Sequence, residues 1–120
     1  MDFGLSPKQE AIVDGVAAVC RRFGDDCWRA CDDEARFPRE FHRAVAEGGW
    51  LVITMPEEQG GAGLGVTEAA LVMHTAARHG AAMAAASSIH INMFVTHPIV
   101  VHGTPEQKER WIPPLIAGTE

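Results

Sequence analysis

The chain has 120 residues, and its 47% hydrophobic and 22% charged residues are typical of one globular domain rather than of a disordered segment. Sixteen acids against ten bases give a net charge of −6, which argues against a nucleic-acid partner because phosphates require a basic surface. The apolar runs are short and the start shows no secretory signal, so we expect neither a membrane span nor secretion. Three cysteines, an odd number, argue against a disulfide framework and favour a reducing, cytoplasmic location.

The first segment predicts a long helix. Ser6, Pro7 and Gln9 match a capping box with proline at the first helical position. The apolar stripe that follows recurs at helical spacings: Ile12, Val16, Val19 and Phe23. We therefore expect a helix over 6–32, either continuous or broken near Gly24. If it were continuous, all three cysteines would lie near one line along it.

The rest of the chain predicts further helices and no strand. Eighteen alanines, no tyrosine and no alternation of period two favour helices throughout. We expect a helix over 37–48, an irregular stretch over 50–56 and a glycine-rich loop over 57–65. A buried helix over 66–79 follows, and then a helix over 81–101 that is interrupted or kinked at Pro98. The last helix is short, over 105–110, and ends before Pro113 and Pro114. The fold class is therefore an all-α bundle of five to six helices.

Two apparent sites fail on their chemistry. The glycine loop over 60–65 lacks both the preceding strand of a dinucleotide fold and the lysine of a phosphate-binding loop, so a structural turn is expected. Cys27 and Cys31 are spaced for two metal ligands on a helix, but no third ligand lies nearby. Histidines five residues apart point in different directions on a helix. We expect no catalytic, cofactor-binding or metal-binding residue in this chain.

The helix over 82–94 is the most informative element. Small residues come first, and His90, Ile91 and Phe94 share a face with Ala86 and Ser87 at helical spacings. Small side chains let another group approach closely, while the larger ones would floor a cavity. Spacing alone favours close helix–helix packing over a ligand wall.

Several motifs together resemble the N-terminal helical domain of the acyl-CoA dehydrogenases. The two most specific are the Pro-Glu-Glu-x-Gly-Gly-x-Gly-x-Gly run at 56–65 and the Gly-Thr-x-Glu-Gln-Lys turn at 103–108. Further matches occur, in order, at residues 6–9, 37–38, 48–51, 98–102 and 111–118. The resemblance covers essentially the whole chain.

The resemblance implies a flavoenzyme that oxidises acyl-CoA thioesters with FAD. In the family a glutamate removes the α-proton, the flavin accepts the β-hydride, and electrons usually pass to an electron-transferring flavoprotein. Members have a middle β-domain and a C-terminal helical domain, and they assemble as homo-oligomers. We expect 1–120 to be the N-terminal domain without the other two, inactive and free of flavin when alone, as a fragment or as one piece of a split enzyme.

The resemblance also assigns a site. In the family this domain helps to wall the acyl pocket through the helix that precedes Pro98. The resemblance therefore places five residues on the acyl-facing side: Ala86, Ser87, His90, Ile91 and Phe94. This assignment reverses the preference for helix–helix packing that spacing alone gives. Two alternatives remain open, namely a stand-alone helical interaction module and the same domain in an acyl-CoA oxidase or related flavin monooxygenase.

Overall fold

Six α-helices make up the chain in a computed structural model that describes residues 3–120. They are α1 (Pro7–Cys20), α2 (Asp25–Asp33), α3 (Arg39–Glu47), α4 (Val66–Ala76), α5 (Met83–His102) and α6 (Pro105–Ala117). Two 3-10 turns, Trp50–Val52 and Glu57–Gln59, and a π turn, Ala77–Ala81, lie between them. No strand occurs in residues 3–120. The predicted all-α bundle of five to six helices is confirmed.

Capping decides where α1 and α6 begin. The Ser6 hydroxyl accepts from the Gln9 amide at 3.3 Å, and the Gln9 side chain accepts from the Ser6 amide at 3.0 Å. Thr104 and Gln107 repeat this pair of bonds at the start of α6. Both caps satisfy amides that the first helical turn leaves without partners, as the sequence predicts.

The core lies where α1, α3, α4 and α5 meet. Its largest fully buried side chains come from every part of the bundle: Val16, Phe41, Val45, Leu51, Ile53, Val72 and Ile89. The Trp50 ring lies directly against α1, where a Cβ on Gly15 would come within 2.6 Å of it. Trp28 and Phe23 pack their rings edge-on against Phe41, which folds α2 back onto α3.

The predicted long helix is broken. α1 ends at Cys20, and α2 begins after Gly24, whose extended backbone lets the chain change direction. The continuous alternative is therefore wrong, and with it the single line of cysteines. Cys20 and Cys31 are buried and Cys27 is half-buried. Burial raises the pKa of the Cys20 thiol, because the thiolate would lose its hydration.

The predicted end of the last helix is also wrong. α6 continues through Pro113 and Pro114 to Ala117 rather than stopping near 110. Ile112 and Leu115 are buried in the bundle, and that burial outweighs the hydrogen bonds that the two prolines cannot make. Tertiary packing has overridden a local signal.

Helix α5 runs through Pro98 and occupies a central position. It contacts α3, α4 and α6. By length and composition α5 also passes as a candidate membrane span, a test that the core helix of a soluble bundle passes too; only 28% of its apolar window is buried. The short apolar runs in the sequence did not reveal this property. The bundle is flat, with dimensions of 45 × 42 × 19 Å. Its smallest dimension is only about two helix diameters, so one side of α5 can remain uncovered.

Candidate functional site

The two sides of α5 differ sharply in burial. Its buried residues are Ala85, Ser88, Ile89, Asn92, Thr96 and Val100. At about 100° per residue they occupy roughly one third of the helix circumference, which we call the inner face. The opposite side, the outer face, is exposed from Met83 to Val101, a length of about 27 Å.

The structure brings all five predicted residues together on the outer face. Ala86 and Ser87 are half-buried, and His90, Ile91 and Phe94 are exposed. Phe94 is 66% exposed, and its ring lies edge-on to the His90 ring with the centroids 4.3 Å apart. Within the described residues these three side chains are exposed, although Ile91 also faces Trp111 and Leu115 of α6 across a groove.

Further outer-face residues were missed by the sequence analysis. Trp111 of α6 lines a groove with Val95, and Met83, Val95 and Val101 are exposed on α5. Their signal was present in the sequence, because they continue the same helical period toward both ends of α5.

A groove of about 380 Å³ runs between α5 and α6. Its lining is almost entirely apolar: Ile91, Asn92, Val95, Ile99, Trp111, Leu115 and Glu120. The Arg110 guanidinium lies 4.7 Å from the centre of the Trp111 ring. The groove therefore extends the outer face sideways as a shallow apolar channel.

The inner face carries the polar residues. Asn92 donates from Nδ2 to the Leu115 carbonyl of α6 at 3.1 Å, and its Oδ1 lies 3.2 Å from His42 Nε2 of α3. Since Oδ1 can only accept, His42 donates from Nε2. Ser88 and Thr96 instead donate to carbonyls of α5 itself, those of Ala85 and Asn92.

The charged residues around the outer face belong to other parts of the chain, such as Glu120 in the groove lining. Between Met83 and His102 there is no Asp, Glu, Lys or Arg. A hydrogen bond from the Gln9 side chain holds the pKa of Glu68 below its usual value, and backbone amides lower the pKa of Glu40 and of Glu106. These carboxylates are solvent-exposed and capping or paired, so none is poised to accept a proton from a bound substrate.

A wider groove of about 600 Å³ lies between α2 and the π turn, and it has a different character. Its lining includes Asp25, Asp32, Arg29 and Arg36, so both signs of charge face it. The apolar surface of α5 suits a hydrocarbon chain, whereas this groove does not.

The glycine-rich loop packs closely on itself. A Cβ on Gly61 would overlap the Met55 carbonyl, so that glycine serves the packing of the loop. No group of three His, Cys, Asp or Glu side chains is placed to bind a metal within residues 3–120.

Comparison with known proteins adds a family match. A sequence model of the family described as "Acyl-CoA dehydrogenase, N-terminal domain" matches residues 6–119.

Three curated relatives span the chain almost completely. The mitochondrial isovaleryl-CoA dehydrogenase of Bos taurus is 39% identical over 96% of this chain and 27% of that protein. The acryloyl-CoA reductase (NADH) of Anaerotignum propionicum is 32% identical over 100% of this chain and 30% of that protein. The benzylmalonyl-CoA dehydrogenase of Aromatoleum aromaticum is 34% identical over 98% and 31%. The chain thus spans less than a third of the length of these relatives.

Proposed function

Because this chain belongs to the acyl-CoA dehydrogenase family, as its N-terminal domain, we propose that it forms one wall of the acyl pocket in an FAD-dependent enzyme. The complete enzyme would oxidise an acyl-CoA thioester between its α and β carbons. One observation carries the proposal: the outer face of α5 is exposed, uncharged and largely apolar along its whole length. A hydrocarbon chain is the natural complement of such a surface.

Each residue of the face has a role in this proposal. Ala86 and Ser87 are small and let the acyl group approach the helix backbone. Ile91 and Phe94 supply apolar contact. His90 places a polar ring beside Phe94, where it would limit chain length or contact a functionalised acyl group.

The relatives support the substrate class more strongly than the direction of reaction. Two of the relatives are named as dehydrogenases, of isovaleryl-CoA and of benzylmalonyl-CoA, and the third as an acryloyl-CoA reductase. All three names contain a CoA thioester, although they give different directions of reaction. We therefore place the thioester's acyl group at α5 and assign the choice of acyl group to details of the face.

The cofactor and catalytic base belong, in this proposal, to other parts of the complete enzyme. The isolated domain is expected to bind no flavin and to be inactive. Homo-oligomer assembly and electron transfer to an electron-transferring flavoprotein likewise concern the complete enzyme, and a cytoplasmic location stays a prediction.

The test is the chain-length profile of the complete enzyme. We expect Phe94→Ala to lower kcat/KM by about 10- to 100-fold for the acyl chain that contacts it, and His90→Ala to shift the preferred length. Butyryl-, octanoyl- and palmitoyl-CoA would be compared. Val66→Ala removes an apolar side chain that is also exposed, at the start of α4, and is the control. If both outer-face variants keep the profile of the parent enzyme, the proposal is wrong.

The exposed outer face also favours a second candidate, a helical interaction module that binds a partner chain through this surface. Size-exclusion chromatography of the isolated chain separates the two. A stable monomer disfavours the module, whereas a stoichiometric self-complex supports it.

A further inference from the structure

Helix α5 is apolar on both sides, which poses a problem for folding. The exposed Ile91, Phe94 and Val95 are as hydrophobic as the buried Ile89 and Val100. Hydrophobic burial is non-directional, so a helix that is apolar nearly all round gains little from one rotation over another. Some directional interaction must decide which side faces the bundle.

Three polar residues on the inner face are candidates, and two of them are ruled out by their bonds. Ser88 donates to Ala85 O at 2.8 Å, and Thr96 donates to Asn92 O. Both bonds stay within α5 and would turn with it. They satisfy the hydroxyl groups but fix no orientation relative to the other helices.

Asn92 is different because its amide bonds to two other helices at once. Its Nδ2 donates to Leu115 O on α6 at 3.1 Å, and its Oδ1 accepts from His42 Nε2 on α3 at 3.2 Å. Asn92 and His42 are both nearly completely buried. Any rotation of α5 breaks both bonds and leaves buried polar groups unpaired.

We propose that Asn92 is a positioning residue that fixes the rotation of α5 through His42 and Leu115, and so sets how His90, Ile91 and Phe94 meet the acyl group. A single buried asparagine fixes register in coiled coils by the same physics. A rotation of about 20° would move an outer-face side chain by roughly 2 Å at the radius of a helix. Displacements of about 1 Å already change catalytic rates by up to about 100-fold.

The test uses the complete enzyme and separates positioning from stability. Asn92→Leu alone leaves His42 unpaired and destabilises the fold. The double variant His42→Leu, Asn92→Leu removes both side-chain partners, and the Leu115 carbonyl still accepts from the Gly118 amide at 3.3 Å. Replacing both partners by apolar groups can be nearly neutral for stability. Thr96→Val is the matched control, because it deletes an equally buried hydroxyl that bonds only within α5.

We expect the double variant to fold and to change the ratio of kcat/KM between octanoyl- and butyryl-CoA by about tenfold or more, while Thr96→Val stays within about twofold of the parent. A folded double variant with a ratio within about twofold of the parent overturns the inference. If the double variant does not fold, Asn92→Asp, which keeps the acceptor for His42 and loses the donor to Leu115, is measured in its place against the same limits.

The inference rests on the proposed function, and its failure can be told apart from failure of that function. If Phe94→Ala shifts the profile and the Asn92 variants do not, the acyl wall stands and the positioning role falls. If neither Phe94→Ala nor His90→Ala shifts the profile, the acyl wall itself is wrong. The positioning role of Asn92 then has no support either.

Discussion

The two faces of α5 reverse the pattern of an ordinary surface helix. Its inner face carries Ser88, Asn92 and Thr96 in the middle of the bundle, whereas its outer face exposes Ile91 and Phe94. In a surface helix of an isolated domain, the polar residues would face water and the apolar ones the core. The reversal shows that the two faces answer to different requirements.

Burying the polar residues of the inner face costs free energy, but their hydrogen bonds fix the orientation of the helix, because hydrogen bonds depend on geometry and apolar contact does not. Exposing the apolar residues of the outer face to water also costs free energy, and such a surface normally marks a site of binding. The apolar residues of the two faces should therefore respond oppositely to mutation: those of the inner face through stability and those of the outer face through specificity.

The largest expected effect compares two isoleucines on opposite faces. Ile89 is fully buried and Ile91 is 57% exposed. We expect Ile89→Ala to lower the free energy of unfolding by about 2–5 kcal/mol, since it leaves a cavity, and Ile91→Ala to change it by less than about 0.5 kcal/mol. Denaturant unfolding measures both.

The same pair should give the opposite ranking for substrate selectivity. Ile91→Ala is expected to alter the acyl-CoA chain-length profile of the complete enzyme, and Ile89→Ala, in the fraction that folds, to keep it. Equal losses of stability for the two variants would contradict the division between the faces.

The sequence was a good guide to features that depend on neighbours in the chain. The caps formed by Ser6 with Gln9 and by Thr104 with Gln107 are local, and both were predicted. The shared face of Ala86, Ser87, His90, Ile91 and Phe94 follows from the same local rule, because residues three and four apart in a helix share a side. Spacing alone nevertheless favoured packing of that face against another helix.

Features decided by distant contacts were not predictable in this way. Burial of Ile112 and Leu115 carries α6 across two prolines that locally oppose a helix. Asn92 and His42 are 50 residues apart, so no local pattern indicates that they bond. The positive φ of Ala82 also has no signal, because alanine does not favour that conformation.

The junction where α5 begins places a residue with a Cβ in a strained backbone conformation. Ala82 precedes the helix with φ 45° and ψ −120°, a conformation that strains any residue with a Cβ. Such strain costs about 1–3 kcal/mol. Glycine would relieve it, but the greater conformational entropy of glycine in the unfolded chain destabilises the protein by about 0.5–1 kcal/mol. Ala82→Gly should therefore stabilise the protein by about 1 kcal/mol, measured as a higher unfolding midpoint.

Ala84 is the matched control for this prediction, since it is an exposed alanine two residues further on with helical backbone. Ala84→Gly should destabilise by about 0.5–1 kcal/mol, the opposite sign. If both glycines destabilise, the start of α5 is unstrained in solution. If Ala82→Gly stabilises the protein and also broadens the chain-length profile, the junction contributes to the placement of the outer face.

The smallest effect is expected where α1 meets α4 through half-buried polar groups. Gln9 Nε2 donates to Glu68 Oε1 at 2.9 Å, and the Gly65 amide donates to the other oxygen at 3.1 Å. The Gln9 bond is the main reason that the pKa of Glu68 lies below its ordinary value of 4.5. Folding therefore favours the ionised carboxylate. This contribution is complete above pH 4.5 and is lost as the pH falls through the lower pKa of the folded state.

Glu68→Gln should remove that part of the acid sensitivity, so the difference in unfolding midpoint between the two proteins should shrink as the pH falls below 4.5. Glu58→Gln, which changes an exposed glutamate outside the α1–α4 contact, is the control and should keep the parent's pH dependence. A Glu68→Gln protein whose midpoint follows the parent's at every pH would show that this contact is solvated in solution. That result would leave apolar packing between α1 and α4 as the main support of their contact.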